Sequence, residues 1–332
     1  MADTTTNPPQ RIEAEEFDEN EEDAYTSDIP TTSSLTSSIT DYEYENGRRY
    51  HSYKKGQYFL PNDENQDEIE RLDFCHHLFT LRIGGKLHLA PLSNNIQDVL
   101  DLGTGTGIWA IEMGDEYPTA HVLGNDLSPI QPRFIPPNVR FEVDDMEDDW
   151  TYTHQFDFIH TRYLQGSIKN WPKLVENCFR SLKPGGWIEL QDYVMQIYSH
   201  DGSVKPDSAL IKWPAEILKG MEKLGLEGEP GKHLETWVRD AGFTNIRHEI
   251  FPFPVGGWPK DKMLKEVGLL NLANFNEGIS PFSMRVLTHA LGWTKEEVDA
   301  LMAQVRTELK KKSIHPIHDF HVVYAQKPLD AE

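Results

Sequence analysis

The segment Asp101-Leu102-Gly103-Thr104-Gly105-Thr106-Gly107 follows a short apolar run at 98–102 and precedes a helical pattern over 108–117. Three glycines between a strand and a helix impose a tight turn and let a ligand approach backbone that a Cβ would otherwise guard. The arrangement repeats downstream. Residues 121–124, 139–143, 156–160 and 187–190 read as strands, and a helix over 171–182 stops at Lys183-Pro184-Gly185-Gly186. Strands alternating with helices predict an α/β fold, a Rossmann-like parallel sheet with helices on both faces.

Either side of this block the pattern is looser. Asp63 is placed to cap a helix reaching about residue 81, with Ile69, Leu72, Cys75 and Phe79 on one stripe. After Asp192, helices are predicted over 207–224 and 231–241, a strand over 245–255, and three helices within 259–312. Thr294-Lys295-Glu296-Glu297 reads as a capping box, and 320–325 as a closing strand.

The glycines are spaced G-x-G-x-G rather than G-x-G-x-x-G, and Asp101 stands two residues before the first of them. A carboxylate there repels a pyrophosphate and attracts an ammonium group, such as the one on the methionine end of S-adenosylmethionine. Asp126, after the second strand, is placed to take ribose hydroxyls. Asp145, after the third, is placed to accept an adenine amino group, with Met146 beside the ring. Either carboxylate could equally cap the helix that follows its strand. Sheets of this kind bind ligands at these strand ends.

Charge separates the chain into two parts. The net charge is −22, and residues 1–45 hold thirteen acidic residues against Arg11 alone. Ten of the fifteen residues 26–40 are Ser or Thr. Residues 1–44 are therefore expected to be a disordered, solvated acidic tail, and 45–328 the folded domain. So acidic a chain repels phosphate backbones, so no direct nucleic acid binding is expected. No run of eighteen apolar residues exists, so no membrane association is expected. With two cysteines and no secretion signal, the expected location is intracellular, in the cytoplasm or nucleus. His76-His77 face different directions on a helix, and His315-x-x-His318 lacks metal-ligand spacing, so no metal is expected.

The blocks 101–110 (DLGTGTGIWA), 124–132 (GNDLSPIQP) and 182–187 (LKPGGW) resemble class I S-adenosylmethionine-dependent methyltransferases. With 46–51 and 60–64 upstream, and 258–261 and 292–297 downstream, they are similar more narrowly to the fungal LaeA-like group. The resemblance implies a seven-stranded sheet whose last strand is antiparallel. It places Gly103 and Gly105 around the methionine portion of the cofactor, Asp126 at the ribose and Asp145 with Met146 at the adenine, with Asp101, Thr104 and Leu127 also among the cofactor-binding residues. His160 and Thr161 would close the floor. Tyr50, Tyr53 and Tyr58 would either fold over the cofactor or pack in the ordinary way.

The activity so implied is methylation of a small molecule in fungal secondary metabolism. The alternative is a nuclear regulator of secondary-metabolite genes acting with velvet-domain partners. An NAD-dependent oxidoreductase is disfavoured by the glycine spacing and Asp101. Methyl transfer depends chiefly on positioning in a water-poor site. His160, Gln191, Asp192, His315 and His318 lie where an acceptor could be oriented, but none has a partner visible in the sequence, and no catalytic base is assigned. The helical insertion at about 257–316 is expected to cap the acceptor through Asn271, Asn274 and Phe275, with Trp258, Phe282 and Trp293 nearby.

Overall fold

The computed structural model describes residues 5–6, 11–15, 43–45, 48–50 and 66–331. The strands β1 (Asp98–Leu102), β2 (His121–Asp126), β3 (Val139–Val143) and β4 (Phe156–Arg162) form the predicted parallel block. Beyond it lie β5 (Leu182–Tyr193), β6 (Thr244–Pro254) and β7 (Ile317–Gln326). The spatial order is β6-β7-β5-β4-β1-β2-β3, and β7 runs antiparallel to both of its neighbours. Both the seven strands and the antiparallel last one match the expectation. An eighth, Thr5–Thr6, pairs in parallel with Arg247 and His248 at the β6 edge.

Helix α1 (Gln66–Arg82) and α2 (Ile108–Glu116) cover one face, and α3 (Trp171–Ser181) with α5 (Leu234–Asp240) the other. Leu100, Leu102, Ile159, Ile188 and Leu190 are fully buried, as continuous apolar strands covered on both faces must be. A third layer packs α4 (Ala209–Lys223), α6 (Lys262–Arg285) and α7 (Lys295–Leu309) around Trp213, Ile217, Leu272, Val286 and Met302. The capping box forms at Thr294, where each partner's side chain meets the other's backbone N–H.

Three expectations are corrected. The three helices within 259–312 are two, α6 and α7, with a π-turn at Val286–Ala290. Helix α6 runs through Gly278 and Pro281 without a break, with Leu272 and Ile279 buried in the core shared with α4 and α7. Strand β5 begins at Leu182 and takes in Lys183–Gly186, read as a turn; Gly185, at φ +82°, absorbs the irregularity. Finally, the acidic tail is not solvated throughout. Residues 11–15 form a strap over the start of the helical insertion, where Ile12 is buried against Trp258 and Ile317. The Glu15 N–H donates to the Trp258 carbonyl at 2.8 Å, and the Lys260 N–H to the Glu13 carbonyl at 3.0 Å. A lone isoleucine in an acidic stretch carries no periodic signal, so its burial was not legible from composition.

Candidate active site

A cavity of about 300 Å³ opens at the C-terminal ends of β1, β2 and β4 and extends beneath α6. All nine residues expected at the cofactor line it: Asp101, Gly103, Thr104, Gly105, Asp126, Leu127, Asp145, Met146 and His160.

The glycine loop is held from three sides. Its Thr104 hydroxyl donates to Asp101 Oδ2 at 2.6 Å, and its Gly105 N–H to Asp126 Oδ2 at 2.9 Å. The Thr106 hydroxyl donates to Asp73 Oδ1 at 2.6 Å, which ties α1 to the loop. Gly103 and Gly105 both take positive φ, +67° and +58°. A Cβ on Gly103 would stand 2.5 Å from Leu164 Cδ2, whereas one on Gly105 would meet nothing within 4 Å. The space over Gly105 is thus an open cradle that a side chain would fill.

Asp126 also accepts the Ser128 N–H at 3.0 Å. Its carboxyl touches the cavity but is otherwise enclosed by protein, and the resulting desolvation pushes its pKa up to about 6 despite these bonds. Asp145 accepts the Glu147 N–H at 2.9 Å, a local turn bond rather than a helix cap, because no helix lies between β3 and β4.

His160 stacks on Trp109 with centroids 3.8 Å apart and planes 6° apart. Burial lowers its pKa, with the Asp101 hydrogen bond opposing. The neutral ring donates its Nδ1–H to Asp101 Oδ1 at 2.8 Å, leaving Nε2 buried with no partner.

The far end of the cavity draws on segments distant in the chain. Helix α1 supplies Arg71, Cys75, His76 and Phe79, β4 Arg162, and the end of β5 Tyr193. Helix α6 supplies Asn274, Phe275 and Phe282, and β7 His318. Of the residues expected to cap the acceptor, Asn274 and Phe275 line the cavity, and Phe282 lies beside them. Asn271 is different: it does not line the cavity, and its Nδ2 donates to the Pro254 carbonyl and to His318 Nε2. Trp258 packs under the strap, and Trp293 against the α4–α7 layer.

Other candidates point away. Thr161 is buried on the opposite side of β4 from His160, because successive side chains of a strand alternate. Gln191 donates to Glu189 Oε1 at 2.6 Å, and Asp192 accepts the Leu164 and Tyr193 N–H groups at 2.9 and 2.8 Å. His315 pairs with Asp201 outside the cavity. Burial holds the pKa of His318 down at about 3. Tyr50 ends the short strand Arg48–Tyr50, and its side chain, like Tyr53 and Tyr58, lies outside what the structure describes. Sequence reasoning missed Arg162 and His76. Arg162 was findable, because it lies two residues past His160 and strand alternation sends both to one face. Among the described residues no group of three His, Cys, Asp or Glu could hold a metal, and no helix is long and apolar enough to cross a membrane.

Residues 71–248 match the family described as "Methyltransferase domain". The chain is 48% identical to "Methyltransferase pytC" of Aspergillus terreus over 98% of both proteins. It is 36% identical to "Secondary metabolism regulator LAE1" of Cochliobolus heterostrophus, over 86% of this chain and 94% of that one. It is also 36% identical to "Protein-methionine methyltransferase laeA" of Emericella nidulans, over 89% and 79%. The chain belongs to the class I S-adenosylmethionine-dependent methyltransferases, and within them to the LaeA-like family.

Proposed function

We propose that this methyltransferase acts on a small-molecule acceptor of fungal secondary metabolism, inside the cell, and that the nine residues named above hold its cofactor. The observation that carries this reading is one continuous cavity, carboxylate-lined at the glycine loop and aromatic beneath α6. A largely apolar chamber with a few polar groups suits a small acceptor. The residues fit S-adenosylmethionine. The cradle over Gly105 leaves room for the methionine portion, and Asp101 presents negative charge to its cationic end. Asp126 has lone pairs for the ribose hydroxyls, while Leu127 and Met146 give an apolar slot for the base.

When bound, the cofactor supplies a methyl group on a sulfonium, already activated for displacement. The protein's own part is to orient and to exclude water. The Asp101 carboxylate fixes the imidazole of His160 and the Thr104 hydroxyl at once, so the floor of the site is preset. Phe275 meets Trp213 at 5.9 Å and His318 at 5.3 Å between ring centroids, closing the chamber from above with aromatic surface.

The test is calorimetry with S-adenosylmethionine and with NAD, followed by incubation with labelled methyl donor in source-cell extract. Binding of the first alone and label in a low-molecular-weight product are expected. Asp126→Ala should weaken cofactor binding by about 1–3 kcal/mol, while Phe275→Ala should impair turnover and spare cofactor affinity. Label confined to protein would favour instead a protein acceptor, and with it a regulatory role beside velvet-domain partners; the similarity to LAE1 and laeA supports that second reading.

A further inference from the structure

The carboxylates that line the cavity, Asp101, Asp126, Asp145 and Glu147, all gather toward the ends of β1, β2 and β3. The end under α1 and α6 has none, and carries two guanidinium groups, Arg71 and Arg162. The chamber is therefore electrically polarised, negative where the cationic cofactor is read to sit and positive where the acceptor enters.

Arg162 is the informative one of the pair. It is half-buried, and it forms no ion pair among the described residues. One Nη2–H donates to His76 Nδ1 at 2.7 Å, and the guanidinium lies 5.1 Å from the centroid of the Phe79 ring. Nη1 is sealed from water with no hydrogen-bond partner. His76 is neutral, its pKa lowered to about 3 first by burial and then by Arg162 itself, and its Nε2 meets Glu112 at 2.9 Å. That carboxylate is thus held beyond a whole imidazole ring. Asp101 is already engaged by Thr104 and His160. Asp101 and Glu112 act on Arg162 only at a distance, after burial as the larger influence, and a guanidinium taken out of water with no carboxylate in contact is costly unless a ligand brings one. The cofactor brings one carboxylate of its own, and S-adenosylhomocysteine, which carries the same carboxylate, is the probe that separates that partner from an acceptor.

We propose that Arg162 is the binding residue for an anionic acceptor, an oxygen acid ionised before it enters, such as a carboxylate or an acidic enol. The proposal rests on the methyltransferase reading of the cavity. The acceptor oxygen supplies the electron pair of the new O–CH3 bond, and the S–CH3 pair returns to sulfur. A neutral methyl ester or enol ether leaves beside a neutral thioether. No proton moves, so the step asks for no base, and the two histidines at the acceptor end, His76 and His318, are lowered in pKa by burial and already hydrogen-bonded. Methylation also removes the charge that Arg162 holds, so the product is released from the anchor.

The test uses the full-length protein and its variants Arg162→Gln and Arg162→Lys. Source-cell extract is split on an anion exchanger into acidic and neutral fractions, and each is incubated with labelled methyl donor. Label is expected from the acidic fraction. Arg162→Gln should reduce it by about tenfold or more, with partial recovery in Arg162→Lys. S-adenosylhomocysteine affinity, read by calorimetry, should stay within about twofold, and the Tm of Arg162→Gln should be no lower than that of the parent. Mild alkali then separates the two sources: a methyl ester yields labelled methanol and an enol ether does not. Label arising from the neutral fraction, or an equal loss of S-adenosylhomocysteine binding in Arg162→Gln, would overturn the proposal. So would a large drop in Tm. Absence of label from every fraction would overturn the small-molecule reading beneath it.

Discussion

Asp101 and His160 are register partners on the neighbouring parallel strands β1 and β4, and the imidazole Nδ1–H donates to the carboxylate at 2.8 Å. The other carboxylate oxygen accepts the Thr104 hydroxyl at 2.6 Å, so one side chain sets both the loop and the floor of the cavity. Asp101→Ala leaves two buried donors without an acceptor and should lower stability by about 1–3 kcal/mol. Asp101→Asn keeps an acceptor oxygen and should recover part of that stability but not the cofactor affinity. Denaturant titration and calorimetry on the same samples check both; unchanged affinity in the two variants would remove Asp101 from the cofactor site.

Gly103 and Gly105 share a left-handed backbone but differ in what lies beyond it. An alanine at either position should cost about 1–2 kcal/mol through backbone strain. At Gly103 the new Cβ also collides with Leu164 and approaches Met146 Cε to 3.2 Å, so the fold should suffer further. At Gly105 it projects into open cavity, so the additional loss should fall on S-adenosylmethionine affinity. Equal thermal shifts in the two variants, with equal affinities, would contradict this assignment.

The strap makes a different demand. Lys260, which donates to the strap, directly precedes Asp261, the N-cap that accepts the Leu264 N–H at 2.9 Å at the start of α6. Lys265, on the first turn of that helix, pairs with Glu15 of the strap. Removing residues 1–15, or replacing Ile12 by Ala, should lower stability by about 2 kcal/mol. A urea midpoint unchanged by either would show that the strap adds nothing to the domain.

Asp192 gives a pH signature. It is 1% exposed, and burial pushes its pKa up to about 8 against the backbone N–H groups it accepts. The folded state therefore keeps a proton that the unfolded chain has lost, and stability falls as pH rises from about 4 to 8. Asp126, raised to about 6, acts in the same direction over the lower part of that range. His76, His318 and His321, lowered to about 3 by burial, act oppositely, adding stability as pH rises from 3 to about 6.5. Between pH 6.5 and 8 the Asp192 effect stands apart. Stability there should fall by up to about 1.4 kcal/mol per pH unit, and Asp192→Asn should flatten the slope. A parallel slope in the variant would mean that Asp192 is ionised throughout.

Much of the sheet and the carboxylate-lined end of the cavity were legible in the chain itself. Strand alternation, the three glycines and the carboxylates at successive strand ends are local patterns, and a parallel sheet brings the ends of its strands to one edge. Asp101, Asp126 and Asp145 needed only that rule to be placed together. The acceptor end obeyed no local rule. Arg71 donates to Asn274 Oδ1 at 3.1 Å from 203 residues away, and Ile12 reaches Trp258 and Ile317. Asp192, at a strand end like the others, turns its carboxylate onto the backbone of Leu164 rather than into the cavity. Such pairings depend on how helices pack over the sheet, where many side chains compete to bury against the same surface. Periodicity fixes which face of a strand or helix a residue occupies. Only the packed chain decides what that face meets.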